Sequence, residues 1–290
     1  MRRMRRWGVW SALAIVAVLF FGTGSAVARD LRIATWNLEW LTLRPAGDRE
    51  LPRGVVPRTP ADFAALRGYA RALDADVVAV EEVDGRRPAA EVFPPGRYNL
   101  YFTHDPVVQR VGFAVRKDIP VTVNPDVTAL RAHDRWLRSG ADITIRWQGH
   151  VLRLLAVHLK TGCLWSPLTD RRRRACPVLG EQLRTLDGWV AARQAEGVPF
   201  AVLGDFNRSF DARDQFSRAL ARAAPLAFAG QGMESPCWGG ERFIDHILVG
   251  GPARAWLVPD SLHVLVYRET DREARRQLSD HCPVSVELRP

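Results

Sequence analysis

Gly204, Asp205, Phe206 and Asn207 follow directly on the apolar run 198–203. A buried strand that ends in a carboxylate and an amide delivers polar groups to the rim of a sheet, where the reactive sites of layered α/β proteins sit. Four other apolar runs end in the same way, at Asn37-Leu38-Glu39, Glu81-Glu82, His158-Leu159-Lys160 and Asp280-His281. A sixth pair, Asp245-His246, lies inside the run 243–249. Together they offer carboxylates, amides and imidazoles, with no serine or cysteine nucleophile beside a base. That inventory suits acid–base chemistry at a hard, oxygen-ligated cation, whereas zinc sites favour clustered histidine and thiolate ligands.

The elements that must position these groups are short and β-branched. Apolar runs at 31–36, 77–80, 111–115, 143–147, 151–159, 198–203, 244–249, 262–267 and 284–288 predict strands. Residues 60–73 predict a helix, with Phe63, Leu66, Ala70 and Leu73 at helical spacing, Thr59 as cap and Pro60 in the first turn. Further helices are expected over 180–194 and 211–223, and loops over 44–58 and 84–97. So many strands would make one sheet very wide, which favours two sheets packed face to face with helices outside. Because neighbouring strand residues face opposite sides, Glu82 is expected in the site and Glu81 away from it, with His246 turned from the site behind Asp245.

Residues 1–28 stand apart from this pattern. Arg2, Arg3, Arg5 and Arg6 precede an uncharged stretch that closes on Ala26-Val27-Ala28, the three-part pattern of a secretory signal peptide cleaved after Ala28. The stretch also reaches the roughly 20 residues of a bilayer span, so an uncleaved membrane anchor is the alternative. Either way residues 29–290 are expected to be exported, periplasmic or secreted, and to form one domain. Loss of the four leader arginines lowers the net charge from +9 to +5, a modest positive balance that favours a polyanionic partner. Four cysteines in an exported chain predict two disulfides. Cys163 and Cys176 bracket a short loop and Cys237 and Cys282 flank apolar runs, so those pairings are expected, although four cysteines permit three connectivities.

The ordered set of an Asn-x-Glu strand end, a Glu-Val after an apolar strand, Val-His-Leu-Lys, Gly-Asp-Phe-Asn, Ile-Asp-His and Ser-Asp-His-Cys-Pro resembles the endonuclease/exonuclease/phosphatase superfamily, which includes deoxyribonuclease I. The resemblance spans residues 31–288. It implies an α/β four-layer sandwich, two mainly antiparallel sheets face to face with helices on the outside. It further implies that Glu82, Asn37 and Asp280 hold a divalent cation, magnesium first and manganese or calcium as alternatives, with Glu39 an additional acidic group. His281 resembles the general base or transition-state stabiliser, Asp245 the carboxylate that orients it, and Asp205 the group that holds or deprotonates the attacking water. Asn207 would donate to a phosphate oxygen, His158 matches a second histidine, and Arg138 stands where a phosphate-clamping arginine is expected.

The chemistry implied is hydrolysis of a phosphate ester, in which a cation and preplaced donors stabilise the charge that builds on the phosphoryl oxygens. The first expectation is a monomeric, metal-dependent phosphodiesterase, a nuclease acting on DNA or RNA. A phosphatase or sphingomyelinase-type enzyme acting on phospholipid or another phosphorylated small molecule is the catalytic alternative. A non-catalytic binding protein on the same fold is the more distant one, and it should have lost one of Glu82, Asp205, Asn207, Asp245 or His281. All five are present. Arg171 to Arg174 could contact nucleic acid or form a solvated loop. Trp36, Trp40, Trp165 and Trp238 could stack on bases, with packing the first reading.

Overall fold

The computed structural model describes residues 29–211 and 213–290; the expected leader at 1–28 lies outside them. The chain runs β1 (Leu31–Leu41), α1 (Pro60–Leu73), β2 (Val77–Val83), α2 (Arg86–Val92), β3 (Tyr98–Phe102), β4 (Arg110–Arg116) and β5 (Val121–Val123). It continues with β6 (Ala141–Trp147), β7 (His150–His158), α3 (Ala175–Ala195), β8 (Phe200–Asp205), α4 (Gln215–Ala223) and β9 (Leu226–Ala229). The last part holds β10 (Glu234–Ser235), β11 (Glu241–Arg242), β12 (Asp245–Gly250), β13 (His263–Val264), α5 (Arg272–Gln277) and β14 (Val284–Leu288).

Two six-stranded sheets form, in the orders β13-β14-β1-β2-β4-β3 and β5-β6-β7-β8-β12-β9. Each contains a single parallel pair, β1 with β2 across α1 and β7 with β8 across α3; the remaining neighbours are antiparallel. Three apolar cores separate four layers. Between the sheets, Ile33, Val77, Phe113, Ile143, Leu154, Leu203 and Ile247 pack together. On the far side of the first sheet Trp36 and Val80 meet α1 and α2, and behind the second Val202 and Leu248 meet α3 and α4. This is the expected four-layer sandwich.

Local chemistry explains the helix bounds. Thr59 caps α1 by accepting from the Asp62 amide while Asp62 returns to the Thr59 amide, and the helix buries Phe63, Leu66, Ala70 and Leu73. Helix α3 begins at Ala175 rather than 180, because Pro177 lies in the first turn, where its missing N–H leaves no helical bond unmade. Helix α4 begins at Gln215 rather than 211, where the Asp214 side chain caps it by accepting from Ser217. The loop expected at 84–97 contains α2. Both expected disulfides are present, Cys163–Cys176 and Cys237–Cys282.

The crossovers decide where chemistry can occur. In each sheet the two parallel strands end on the same rim, and their carboxyl ends carry Asn37, Glu82, His158 and Asp205. Antiparallel pairing brings the start of β12 to that rim, with Asp245 opposite Asp205. Gly204 permits the closest approach there: it pairs with Val157 at φ +146°, and a Cβ would stand 1.9 Å from the Val157 carbonyl oxygen.

Candidate active site

Asn37 joins the two sheets. Its Nδ2 donates to Glu82 Oε1 in the first sheet at 3.2 Å and to Asp205 Oδ2 in the second at 3.1 Å, while its Oδ1 accepts from the Glu39 amide at 2.9 Å. Asn37, expected as a metal ligand, orders the carboxylates around it through these bonds.

Glu82 reaches the site through an irregularity. Strand alternation would turn it toward α1, but the β2 register shifts beyond Val80 and Glu82 takes φ 59°, re-aiming its side chain. Its Oε2 accepts from the Trp40 amide at 3.2 Å. Glu39, Trp40 and Asn207 also have positive φ, at 39°, 54° and 51°. Such left-handed non-glycine conformations cost free energy and gather where function fixes geometry. The same shift corrects the expectation for Glu81. Glu81 also faces inward, fully buried beneath the site, accepting from Thr35 Oγ1 at 3.0 Å. Burial, and then the nearby Asp245 carboxylate, push its carboxyl well above the usual range.

The second sheet supplies the other groups. His158 Nε2 lies 3.5 Å from both Glu82 Oε1 and Asp205 Oδ2. Burial, reinforced by the Arg138 and His281 charges, holds this imidazole well below its ordinary value, so it is neutral. Asp205 Oδ1 accepts from the Asn207 amide at 2.7 Å, and Asn207 Nδ2 bridges Asp205 Oδ2 at 3.0 Å and the Leu159 carbonyl at 3.1 Å. Asp245 holds His281, its two oxygens 3.0 and 2.9 Å from Nδ1, and Nε2 lies 3.9 Å from Asp205 Oδ2. Burial works against charge on His281, yet Asp245 and Asp205 hold its pKa well above the ordinary value, so the ring is an imidazolium. Burial also raises Asp205 to about 7, against the opposing pull of His281.

A carboxylate set borders this centre. Asp280 donates its amide to Glu39 Oε2 at 3.0 Å, and Glu39 is raised to about 7 by burial and then by repulsion from Asp280, with Glu82 adding to it. Glu39 thus lies among carboxylates whose hard oxygens and negative charge a divalent cation would suit. Asp205, Asp245 and His281 also bring ligand atoms within 4.8 Å of one another. Within that group Asp245 and His281 are already hydrogen-bonded to each other.

Arg138 departs from its expected role. Its guanidinium is buried and donates to the His158 and Leu159 carbonyls at 3.2 and 3.3 Å, turned to the chain itself rather than open to a phosphate. It braces the end of β7. His246 is buried as expected, its Nε2–H donating to the Arg208 carbonyl at 2.8 Å and its ring stacked on Phe210. Two supports had no sequence signal. Arg58, in the expected loop, donates to the Leu38, Glu39, Gln277 and Leu278 carbonyls and so ties the end of β1 to the segment before His281. Ser279 donates to the Asn37 carbonyl and accepts from the His281 amide.

Residues 34–281 match the Endonuclease/Exonuclease/phosphatase family. No curated protein matches the chain. Among solved structures, TDP2 of D. rerio complexed with a single-strand DNA product superposes with TM-score 0.58 at 16% identity, covering 90% of this chain and 99% of the other. The human nocturnin catalytic domain with bound sulfate gives 0.55 at 18%, covering 89% and 93%. The 3'-5' exonuclease of Neisseria meningitidis gives 0.57 at 17%, covering 90% and 100%.

Proposed function

This chain belongs to the endonuclease/exonuclease/phosphatase family of phosphoric ester hydrolases, and from that premise we propose an exported, divalent-cation-dependent phosphodiesterase that cleaves nucleic acid by direct attack of water. The line from Asp245 through His281 to Asp205 carries the reading. It sets an imidazolium beside a buried carboxylate of nearly neutral proton affinity. The first donates to a phosphoryl oxygen; the second holds the water.

As the water oxygen bonds to phosphorus, Asp205 takes its proton. The ester bond breaks, and the leaving oxygen departs with the bonding pair and is protonated by solvent. His281 and the neutral His158 stay in place as donors to the charge on the phosphoryl oxygens, and Asn207 fixes the Asp205 carboxylate. Glu39, Glu82 and Asp280 would hold the cation, which when bound polarises the phosphoryl group. Preference for nucleic acid is supported by the DNA-bound and exonuclease neighbours and by the positive balance of the chain. Export is supported by the leader pattern and the two disulfides.

A second reading, hydrolysis of a phospholipid or inositol phosphate, is favoured by one observation. A cleft of about 480 Å³ has Trp40, Leu51, Pro52, Val107, Val108 and Trp136 among its walls. The two readings separate in one assay of residues 29–290 on plasmid DNA, RNA, sphingomyelin and bis(4-nitrophenyl) phosphate, with magnesium, manganese or calcium and after chelation. The expected result is cation-dependent cleavage of nucleic acid, with His281→Ala and Asp205→Ala lowering kcat/KM at least about 10³-fold. Wild-type rates in either variant would overturn the site, and hydrolysis of lipid alone would overturn the substrate.

A further inference from the structure

Two tryptophans stand out on the rim. Trp136 and Trp165 are the most exposed large hydrophobic side chains among the described residues, at 66% and 61%. A tryptophan left in water near a catalytic centre forgoes a large apolar burial, so its exposure calls for a partner. The two are built alike. The Arg135 guanidinium lies 4.7 Å over the Trp136 ring and that of Arg242 lies 4.7 Å over the Trp165 ring. One face of each indole is thereby covered by a cation and the ring is held against rotation.

Neither tryptophan rides on a loose loop. Trp136 is followed by buried Leu137 and by Arg138, which is fastened to the end of β7. Trp165 sits between Leu164, whose carbonyl accepts from the Ser209 amide, and Ser166, whose carbonyl accepts from the buried Arg208 guanidinium at 3.0 Å. The Cys163–Cys176 disulfide closes the same loop. Both rings are therefore fixed to residues adjacent to the reacting groups, Arg138 beneath His158 and Arg208 next to Asn207.

Strand order places them on opposite flanks. Trp136 precedes β6, whose start lies beside the end of β7, and it shares the 480 Å³ cleft with Trp40, whose amide holds Glu82. Arg242, under Trp165, ends β11 and shares a smaller cavity with Asp245 and His281 across β8. Between these two flanks, in strand order, lie the end of β7 with His158, the end of β8 with Asp205 and the start of β12 with Asp245. Arg171 to Arg174, all exposed, extend the second flank.

We propose that the substrate is single-stranded or frayed nucleic acid, with unpaired bases stacking on Trp136 on one side of the scissile phosphate and on Trp165 on the other. The proposal rests on the hydrolase reading above and narrows its substrate. Aromatic platforms alternating with guanidinium groups match the chemistry of a strand whose bases are free and whose phosphates are charged. A duplex hides the base faces these rings would meet. The apolar cleft reaches only the Trp136 flank, whereas each of the two rings carries an arginine over one face, which suits a charged strand better than a lipid chain.

The test is quenching of tryptophan fluorescence by a short single-stranded oligonucleotide and by the matching blunt duplex, run with the Asp205→Ala chain so that binding needs no turnover. The single strand should bind at least tenfold more tightly than the duplex, and added salt should weaken it. Trp136→Ala and Trp165→Ala should each raise Kd roughly ten- to one-hundred-fold, the worth of one base stack, and Trp136→Phe and Trp165→Phe should restore most of it. Unchanged Kd in both alanine variants, equal affinity for the duplex, or a loss seen on phosphatidylcholine vesicles instead of the oligonucleotide would overturn the proposal. An oligonucleotide that binds in this pattern yet is never cut by the unmodified chain would sink the hydrolase reading alone.

Discussion

At the scale of single residues, the centre divides its two imidazoles by environment. His281 is hydrogen-bonded to Asp245 and is held well above its ordinary value; His158 has carboxylates only at 3.5 Å, and burial, then the Arg138 charge, hold it well below. His246, buried on β12, shows what burial does, lowered to about 4 by desolvation against weaker opposing effects. The consequence for stability has a definite sign. Above pH 6.5 the ring is neutral in both folded and unfolded chains. As pH falls from 6.5 toward 4 the unfolded chain binds a proton that the folded chain does not, so stability is lost across that window, by about 1.4 kcal/mol per pH unit. Urea unfolding at pH 7 and pH 5 should show the unmodified protein losing about 2 kcal/mol more than His246→Gln; equal losses would remove His246 as the cause. The residue types at the site were legible because carboxylates, amides and imidazoles at strand ends are rare in combination. Arg58, Ser279 and Trp136 were not, since an arginine in a polar loop, a serine before an acid and a surface tryptophan acquire meaning only from the carbonyls and rings that tertiary structure sets beside them.

At the scale of elements, Gly204 and the break in β2 do most of the positioning. With a Cβ 1.9 Å from the Val157 carbonyl and φ at +146°, Gly204→Ala must push apart the β7–β8 pair that carries His158 and Asp205. A loss of at least roughly 3 kcal/mol is expected, read as a lowered urea midpoint. Central strands were readable because both faces are buried and the sequence runs β-branched without interruption, as in 77–80 and 198–203. Edge strands β3, β5 and β9 were not. They are short and half-exposed, so period and composition alike are diluted. Helix α2 was missed because Gly85 offers no capping side chain and Pro88 stands in its first turns. The run 262–267 yields only the two-residue β13, since Tyr267 leaves the sheet to accept from Trp36 and donate to the His281 carbonyl. The Glu81 expectation failed for a related reason: alternation holds only where the ladder is regular.

At the scale of the whole molecule, two covalent ties hold segments that bear the site. Cys282 follows His281 directly, and its bridge to Cys237 spans 45 residues of sequence, against 13 for Cys163–Cys176. By loop-closure entropy the longer tie is worth about 4 kcal/mol and the shorter about 3. Reduction should therefore lower Tm by roughly 10 °C or more, and Cys237→Ser with Cys282→Ser should destabilise more than the other pair. A reversed order would show that the entropic account does not govern this fold. The architecture itself was legible, because nine apolar runs and a few helical stretches leave few ways to bury their faces; which strands cross between sheets was not, since pairing is non-local.

Asn37 closes a contact between sheets, and the imidazole that completes the centre comes just before β14. No stretch growing from the amino terminus can assemble the full set until β14 is laid against β1. A centre wired in this order exists only while the two sheets are docked, so its chemistry reports on the packing of the whole sandwich and not on either sheet alone.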